Sequence, residues 1–185
     1  MIIPELGLEI VVASRERAER LTNTEPQRWC VISIHGKSEL PAQLPKAREV
    51  ETLVFDDVIQ DEPMRGLLAP RTAHAEAILQ AAQRFHGKPL LVHCAMGISR
   101  SAGTALGILY WYARQKTLSD PVDRTFRWLQ QLGEFAPNPR LARLLIEAIE
   151  PGERRPFERF SKDERWHLRQ AEDFYSRYFP RPKRE

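Results

Sequence analysis

Cysteine occurs only twice in the 185 residues, at Cys30 and Cys94. Two thiols cannot form the disulfide framework that staples small secreted domains, so a reducing, cytoplasmic setting is expected. Long apolar runs are missing as well: none approaches the ~18 residues that mark a membrane helix, so no membrane span is expected. The opening "MIIPELGLEIVVASRER" has no basic segment ahead of its apolar stretch, which predicts no signal peptide. Internal repeats and low-complexity tracts are absent. A large excess of one charge is absent too. Residues 1–150 hold 18 Lys+Arg against 18 Asp+Glu, and the net +3 comes from residues 151–185, with 10 basic and 7 acidic. The basic excess is therefore local, and no predicted sheet face interleaves aromatic with basic residues, so nucleic acid is not an expected partner. Five histidines and two cysteines show no metal-ligand spacing, so neither a metal nor a cofactor is predicted.

What remains is an ordinary globular composition, 42% apolar and 29% charged. Strands are expected at 8–13, 29–34, 51–56 and 89–93, the last a continuous apolar run suited to the centre of a parallel sheet. Helices are expected at 14–21 with Ser14 as cap, at 71–85, at 100–115 and at 137–150. Another is expected at 120–132, with Asp120 as cap and Pro121 at its first position. The segments 35–49 and 57–70, rich in Gly and Pro, read as loops. The alternation predicts an α/β domain over 1–150 with a central, mainly parallel sheet flanked by helices. Residues 151–185 read as a basic, aromatic-rich extension. An extra helix is expected there over 161–179, opened by a Ser161–Glu164 capping box. Packing on the domain is the favoured reading of its aromatic side, against a partner-binding or self-association helix. Sequence leaves oligomeric state open.

The chemistry concentrates in "VHCAMGISRS", residues 92–101, between an apolar strand and a helix start. A strand, a tight turn at Gly97 and a helix N-terminus aim backbone N–H groups at one point, which makes an anion site from Ala95, Met96, Gly97, Ile98, Ser99 and Arg100. Those groups and Arg100 favour the thiolate of Cys94 over the thiol. A guanidinium grips two phosphoryl oxygens at once. A thiolate beneath such a cradle is placed to attack phosphorus, and the Ser101 hydroxyl can bond the sulfur and ease its departure. Cys-x5-Arg alone arises by chance about one time in four in this composition. Adding His93, Gly97 and Ser101 lowers that to about one in a hundred thousand. The competing reading is a buried cysteine in a strand-to-helix turn with an arginine on the surface.

"HCAMGISRS" resembles the His-Cys-x5-Arg-Ser signature of the cysteine-dependent protein-tyrosine phosphatases in their dual-specificity-like form. The resemblance runs from about residue 8 to 150 and takes in "LVFDDVIQDEP" and "APNPRLARLL". The loop "DDVIQDEPMRGLLAP" is most similar to a bacterial subgroup of small predicted tyrosine phosphatases. The resemblance implies a phosphocysteine intermediate, no metal, a phosphoprotein or phosphopeptide substrate, and an aspartic acid on a separate loop as general acid. Asp56, Asp57 and Asp61 are candidates, since a carboxylic acid must come within hydrogen-bond reach of the leaving oxygen. Asp57, at the C-terminal edge of the third strand, is favoured, and Asp61 is the alternative.

The resemblance also assigns His93 to orienting the loop and Asn138 to bracing it, although a core histidine and a helix cap explain the same residues. Cys30 reads as a buried hydrophobe, with a redox partnership to Cys94 as the alternative. Arg71 and His74 are candidate rim contacts. Two other functions stay open: an inositol-phosphate or phosphoinositide phosphatase using the same loop, and a non-catalytic phosphate-binding adaptor. The intervening residues 95–99 add no charge for extra phosphates, and the intact Cys94 and Arg100 argue against an adaptor.

Overall fold

The computed structural model describes residues 1–133 and 135–152. Five strands form one sheet: β1 Ile2–Ile3, β2 Leu8–Ser14, β3 Cys30–His35, β4 Glu49–Val54 and β5 Leu90–Cys94, in the order β1-β2-β5-β3-β4. The β2–β5, β5–β3 and β3–β4 pairs are parallel, and the short edge strand β1 runs antiparallel to β2. The expected α/β architecture with a mainly parallel sheet is therefore present. All five residues of β5 are buried, as the apolar run at the sheet's centre requires.

The helices are α1 Arg15–Thr24, α2 Thr72–Arg84, α3 Arg100–Gln115, α4 Pro121–Leu132 and α5 Pro139–Ile149. On one face of the sheet, α1 covers a small cluster of Ala13, Ala18, Trp29, Val31 and Leu91. The main core lies on the other face, where α2 to α5 pack round β2, β3 and β5. Helix α3 is buried almost throughout, because the sheet, α2, α4 and α5 all press on it. Gly107 makes this possible: a Cβ there would stand 2.5 Å from Leu145 Cδ1.

Several boundaries differ from the sequence reading, each for a tertiary reason. Strand β4 begins two residues early because its pairing with β3 opens at Cys30–Glu49. It ends at Val54 because Asp56 turns away to bond Leu68 through both its backbone and its carboxylate. Strand β1 was not expected, since two residues carry no periodicity. Ser14 caps α1 as expected, accepting from the Arg17 N–H at 3.3 Å. Asp120 occupies the cap position of α4 but adopts φ +51° and makes no capping bond, so Pro121 alone of the two expected signals acts there. The helix expected over 161–179 lies outside the described residues.

Candidate active site

Cys94 is the last residue of β5, and its side chain is buried. Its sulfur lies 3.2 Å from Ser101 Oγ and accepts from the Gly97 N–H at 3.3 Å. The loop doubles back so tightly that Gly97 takes φ +76°, and a Cβ there would stand 2.5 Å from Ala13 C and Ser14 N. Only glycine fits under the β2–α1 turn. Three backbone bonds fix the loop from outside: Arg15 N–H to Ala95 O at 3.2 Å, Ala136 N–H to Ile98 O at 3.2 Å and Asn138 N–H to Ser99 O at 3.2 Å. The turns that follow β2 and α4 therefore hold the loop before α3 in one shape.

Arg100 opens α3 and is 3% exposed. Its two terminal nitrogens grip Glu39, with Nη1 to Oε2 at 2.9 Å and Nη2 to Oε1 at 2.7 Å, and Nη1 also donates to Phe55 O at 3.1 Å. Nε is buried and donates to no group among the described residues. Burial opposes the guanidinium charge, but the bonds to Glu39 outweigh it, with Cys94 adding, and hold Arg100 firmly protonated. Burial likewise pushes the Glu39 carboxyl up, yet Arg100 and the Gly36 N–H at 2.7 Å bring it below the usual carboxylate range.

The sequence reading missed Glu39. Its signal was topological: β3 neighbours β5, so the loop after β3 lies beside the loop after β5. That neighbourhood exists only once the strand order is known.

The three candidate aspartates separate clearly. Asp57 Oδ1 accepts from Ser99 Oγ at 2.7 Å and from Asn138 Nδ2 at 2.9 Å, which joins it to the Cys94 loop. Asp61 is tied within its own loop, accepting from Ala69 N–H at 2.8 Å and pairing with Arg71 at 3.3 Å. The Ala69 N–H, then Arg71 and Arg140, hold its carboxyl below its ordinary value. Asp56 is buried and spends Oδ2 on the Leu68 N–H at 2.7 Å. Asn138 caps α5, its Oδ1 accepting from the Leu141 N–H at 3.0 Å; its backbone N–H meets the Cys94 loop at Ser99 O, and its Nδ2 donates to Asp57 rather than to the loop. Arg140 fastens the 57–70 loop through the carbonyls of Pro70 and Ile59.

His93 is 1% exposed, and neither ring nitrogen has a side-chain or carbonyl partner among the described residues. Burial pushes it down to about 4, so the ring is neutral at pH 7. His74 packs its ring against Phe55 at 4.9 Å and accepts the Arg71 N–H at 3.0 Å, so of the two candidate rim residues it props the wall behind Arg100. Cys30 is fully buried and sits opposite Leu90 in the β3–β5 register. At about 3.3 Å per residue, the four further positions to Cys94 exceed the ~7 Å Cα limit for a disulfide. The redox partnership with Cys30 is thus excluded in this fold. No group of three or more His, Cys, Asp or Glu that could hold a metal occurs among the described residues.

A buried thiol bonded to the Gly97 N–H, a buried guanidinium at the other end of its loop and a carboxylate bonded to that loop lie together beyond the C-terminal ends of the parallel strands. No protein-family model matches the chain. Human protein phosphatase Slingshot homolog 3 is 31% identical over 147 residues, which is 74% of this chain. The chain spans about a fifth of that curated relative, 21% of its length. Human DUSP28 superposes with a TM-score of 0.52 at 20% identity, covering 80% of this chain and 94% of its own. The OH1 tyrosine phosphatase of Orf virus gives 0.51 at 16% identity, covering 76% and 82%. PTPMT1 in complex with PI(5)P gives 0.50 at 15% identity, covering 88% and 94%. The fold is that of the cysteine-dependent protein-tyrosine phosphatases in their dual-specificity form. The likenesses support placing the chain in that superfamily.

Proposed function

We propose that the chain hydrolyses phosphomonoesters on phosphoprotein, with phosphotyrosine as the preferred ester, through a phosphocysteine on Cys94. The observation that carries this reading is that Asp57, from the loop after β4, is bonded through Ser99 to the short loop that has Cys94 at one end and the buried Arg100 at the other. A phosphate dianion in the loop takes N–H groups of residues 95–100 and the two guanidinium donors that Glu39 and Phe55 leave over, the Arg100 Nε–H and the second N–H of Nη2. The Cys94 thiolate attacks phosphorus, and Asp57 gives its proton to the leaving oxygen. Ser101 donates to the sulfur as it leaves, and Asp57 then takes a proton from the attacking water. His93 is a neutral wall of the loop and transfers no proton, and Asn138 braces Asp57 against α5.

The five residues between Cys94 and Arg100 add no charge, which favours phosphoprotein over inositol polyphosphates as the substrate class. The test is hydrolysis of an aryl phosphate in EDTA by wild type and Cys94→Ser. Activity that is metal-independent and absent in Cys94→Ser supports the reading. Full activity in Cys94→Ser overturns it, and an inert wild type that still binds a phosphopeptide would make the chain an adaptor.

A further inference from the structure

Arg15 is the first residue of α1 and stands where two site loops meet. Its backbone N–H donates to Ala95 O at 3.2 Å, which sets the residue against the Cys94 loop. Its guanidinium reaches the other way, and Nη1 donates to Leu40 O at 3.1 Å, on the loop that supplies Glu39 to Arg100. The side chain is half-buried, and no carboxylate pairs with it among the described residues. The acid one turn along, Glu19, accepts instead from the Gln43 N–H at 2.9 Å. The neighbouring Glu39 is committed to Arg100.

The residues flanking this cation are apolar and exposed: Leu40 at 75% and Met96 at 46%. Arg15 bonds the carbonyl of Leu40 itself and that of Ala95, the residue before Met96, so its backbone and side chain tie it to the segments that carry both exposed apolar residues. Isolated exposed leucines mean little, but a cation tied to two segments that each expose an apolar side chain, one of them the Cys94 loop, has a defined complement. That complement is a short peptide with a carboxylate next to an apolar group, close to the phosphorylated residue.

We infer that Arg15 is a specificity-determining residue, reading an acidic side chain adjacent to the phosphotyrosine of a peptide substrate whose apolar neighbours rest on Leu40 and Met96. This rests on the phosphatase reading above. A planar guanidinium with one N–H anchored on Leu40 O is held in place and loses less freedom on meeting a carboxylate than a loose lysine would. A partly shielded pair of this kind should favour an acidic peptide about three- to tenfold.

The experiment compares kcat/KM for phosphotyrosyl peptides carrying Glu or the isosteric Gln at each adjacent position, in wild type, Arg15→Gln and Arg15→Lys, with an aryl phosphate run alongside. The expected result is a Glu-over-Gln ratio of about three to ten in wild type, carried mainly by KM and shrinking as salt is raised. It should fall close to one in Arg15→Gln and recover in part in Arg15→Lys. A ratio near one in a wild type that hydrolyses the aryl phosphate overturns this inference alone, as does a ratio unchanged in Arg15→Gln. Turnover of inositol phosphates with none of the peptides overturns it too. A wild type inert on every substrate overturns the phosphatase reading itself.

Discussion

The Glu39 carboxylate and the Arg100 guanidinium meet fork to fork, at 2.7 and 2.9 Å, across the space between the loops that follow β3 and β5. Glu39 takes one N–H of each terminal nitrogen and leaves the Nε–H of a buried cation unspent, together with the second N–H of Nη2. Glu39→Gln keeps the shape but removes the charge that fixes this orientation. The expected outcome is a loss of about tenfold in inhibition by inorganic phosphate and in kcat/KM, with the fold retained by circular dichroism. The carboxyl is depressed in the folded state, so its stabilising contribution is complete above the ordinary carboxylate range and fades as pH falls through it. Urea unfolding from pH 6 to pH 3 should therefore be shallower in Glu39→Gln.

Asp57 and Asp61 should part in a pH–rate profile. Asp57→Asn is expected to lower kcat on an aryl phosphate by about a hundredfold or more and to erase the basic limb. Asp61 is held ionised by the Ala69 N–H and Arg71, which makes it a poor proton donor at neutral pH. Asp61→Asn should stay within a few-fold of wild type and keep both limbs. Equal losses in the two variants would remove the assignment of Asp57.

Protonating His93 should unfold the protein before it changes the chemistry. The ring is held down to about 4 in the fold, against 6.5 for a free histidine. The unfolded chain thus binds a proton that the folded one refuses between these values. Stability is complete above about pH 6.5 and declines towards pH 4, by about 3 kcal/mol at most. Chemical denaturation at pH 7, 6 and 5 should show this slope in wild type and a reduced slope in His93→Gln.

Gly97→Ala tests the tightness of the loop. The new methyl would meet the backbone of Ala13 and Ser14 in a conformation with φ +76°. A destabilisation above about 1 kcal/mol and a loss of most aryl phosphatase activity are expected. Gly107→Ala, pressed against Leu145 far along α3, should lower thermal stability with a much smaller effect on KM.

The sheet and its helices were legible because their signals are local. The apolar run at 89–93 could only be a buried strand, and the Ser14 and Pro121 signals sit beside the residues they start. The Cys94 loop was legible for the same reason, since its whole cradle is one contiguous segment. Glu39 was not, because its partner is 61 residues away and only the strand order makes them neighbours. The choice between Asp57 and Asp61 was likewise beyond spacing. Their surroundings differ in ways spacing does not carry: Asp57 meets Ser99 and Asn138, and Asp61 is tied to Ala69 and Arg71. Asn138 shows the limit from another side: the cap could be read from the Pro139 that follows it, while the Nδ2 bond to Asp57, 81 residues away, could not.

The register that sets Cys30 opposite Leu90 has a consequence for damage. Cys30 and Cys94 are the chain's whole supply of thiols, and they face different stretches of the sheet. Should peroxide convert Cys94 to a sulfenic acid, no second cysteine stands ready to trap it as an internal disulfide. Protection would then fall to a small thiol from solution or to a backbone nitrogen beside the sulfur, which can close a reversible sulfenamide. The fold leaves Cys94 without a second cysteine within disulfide reach.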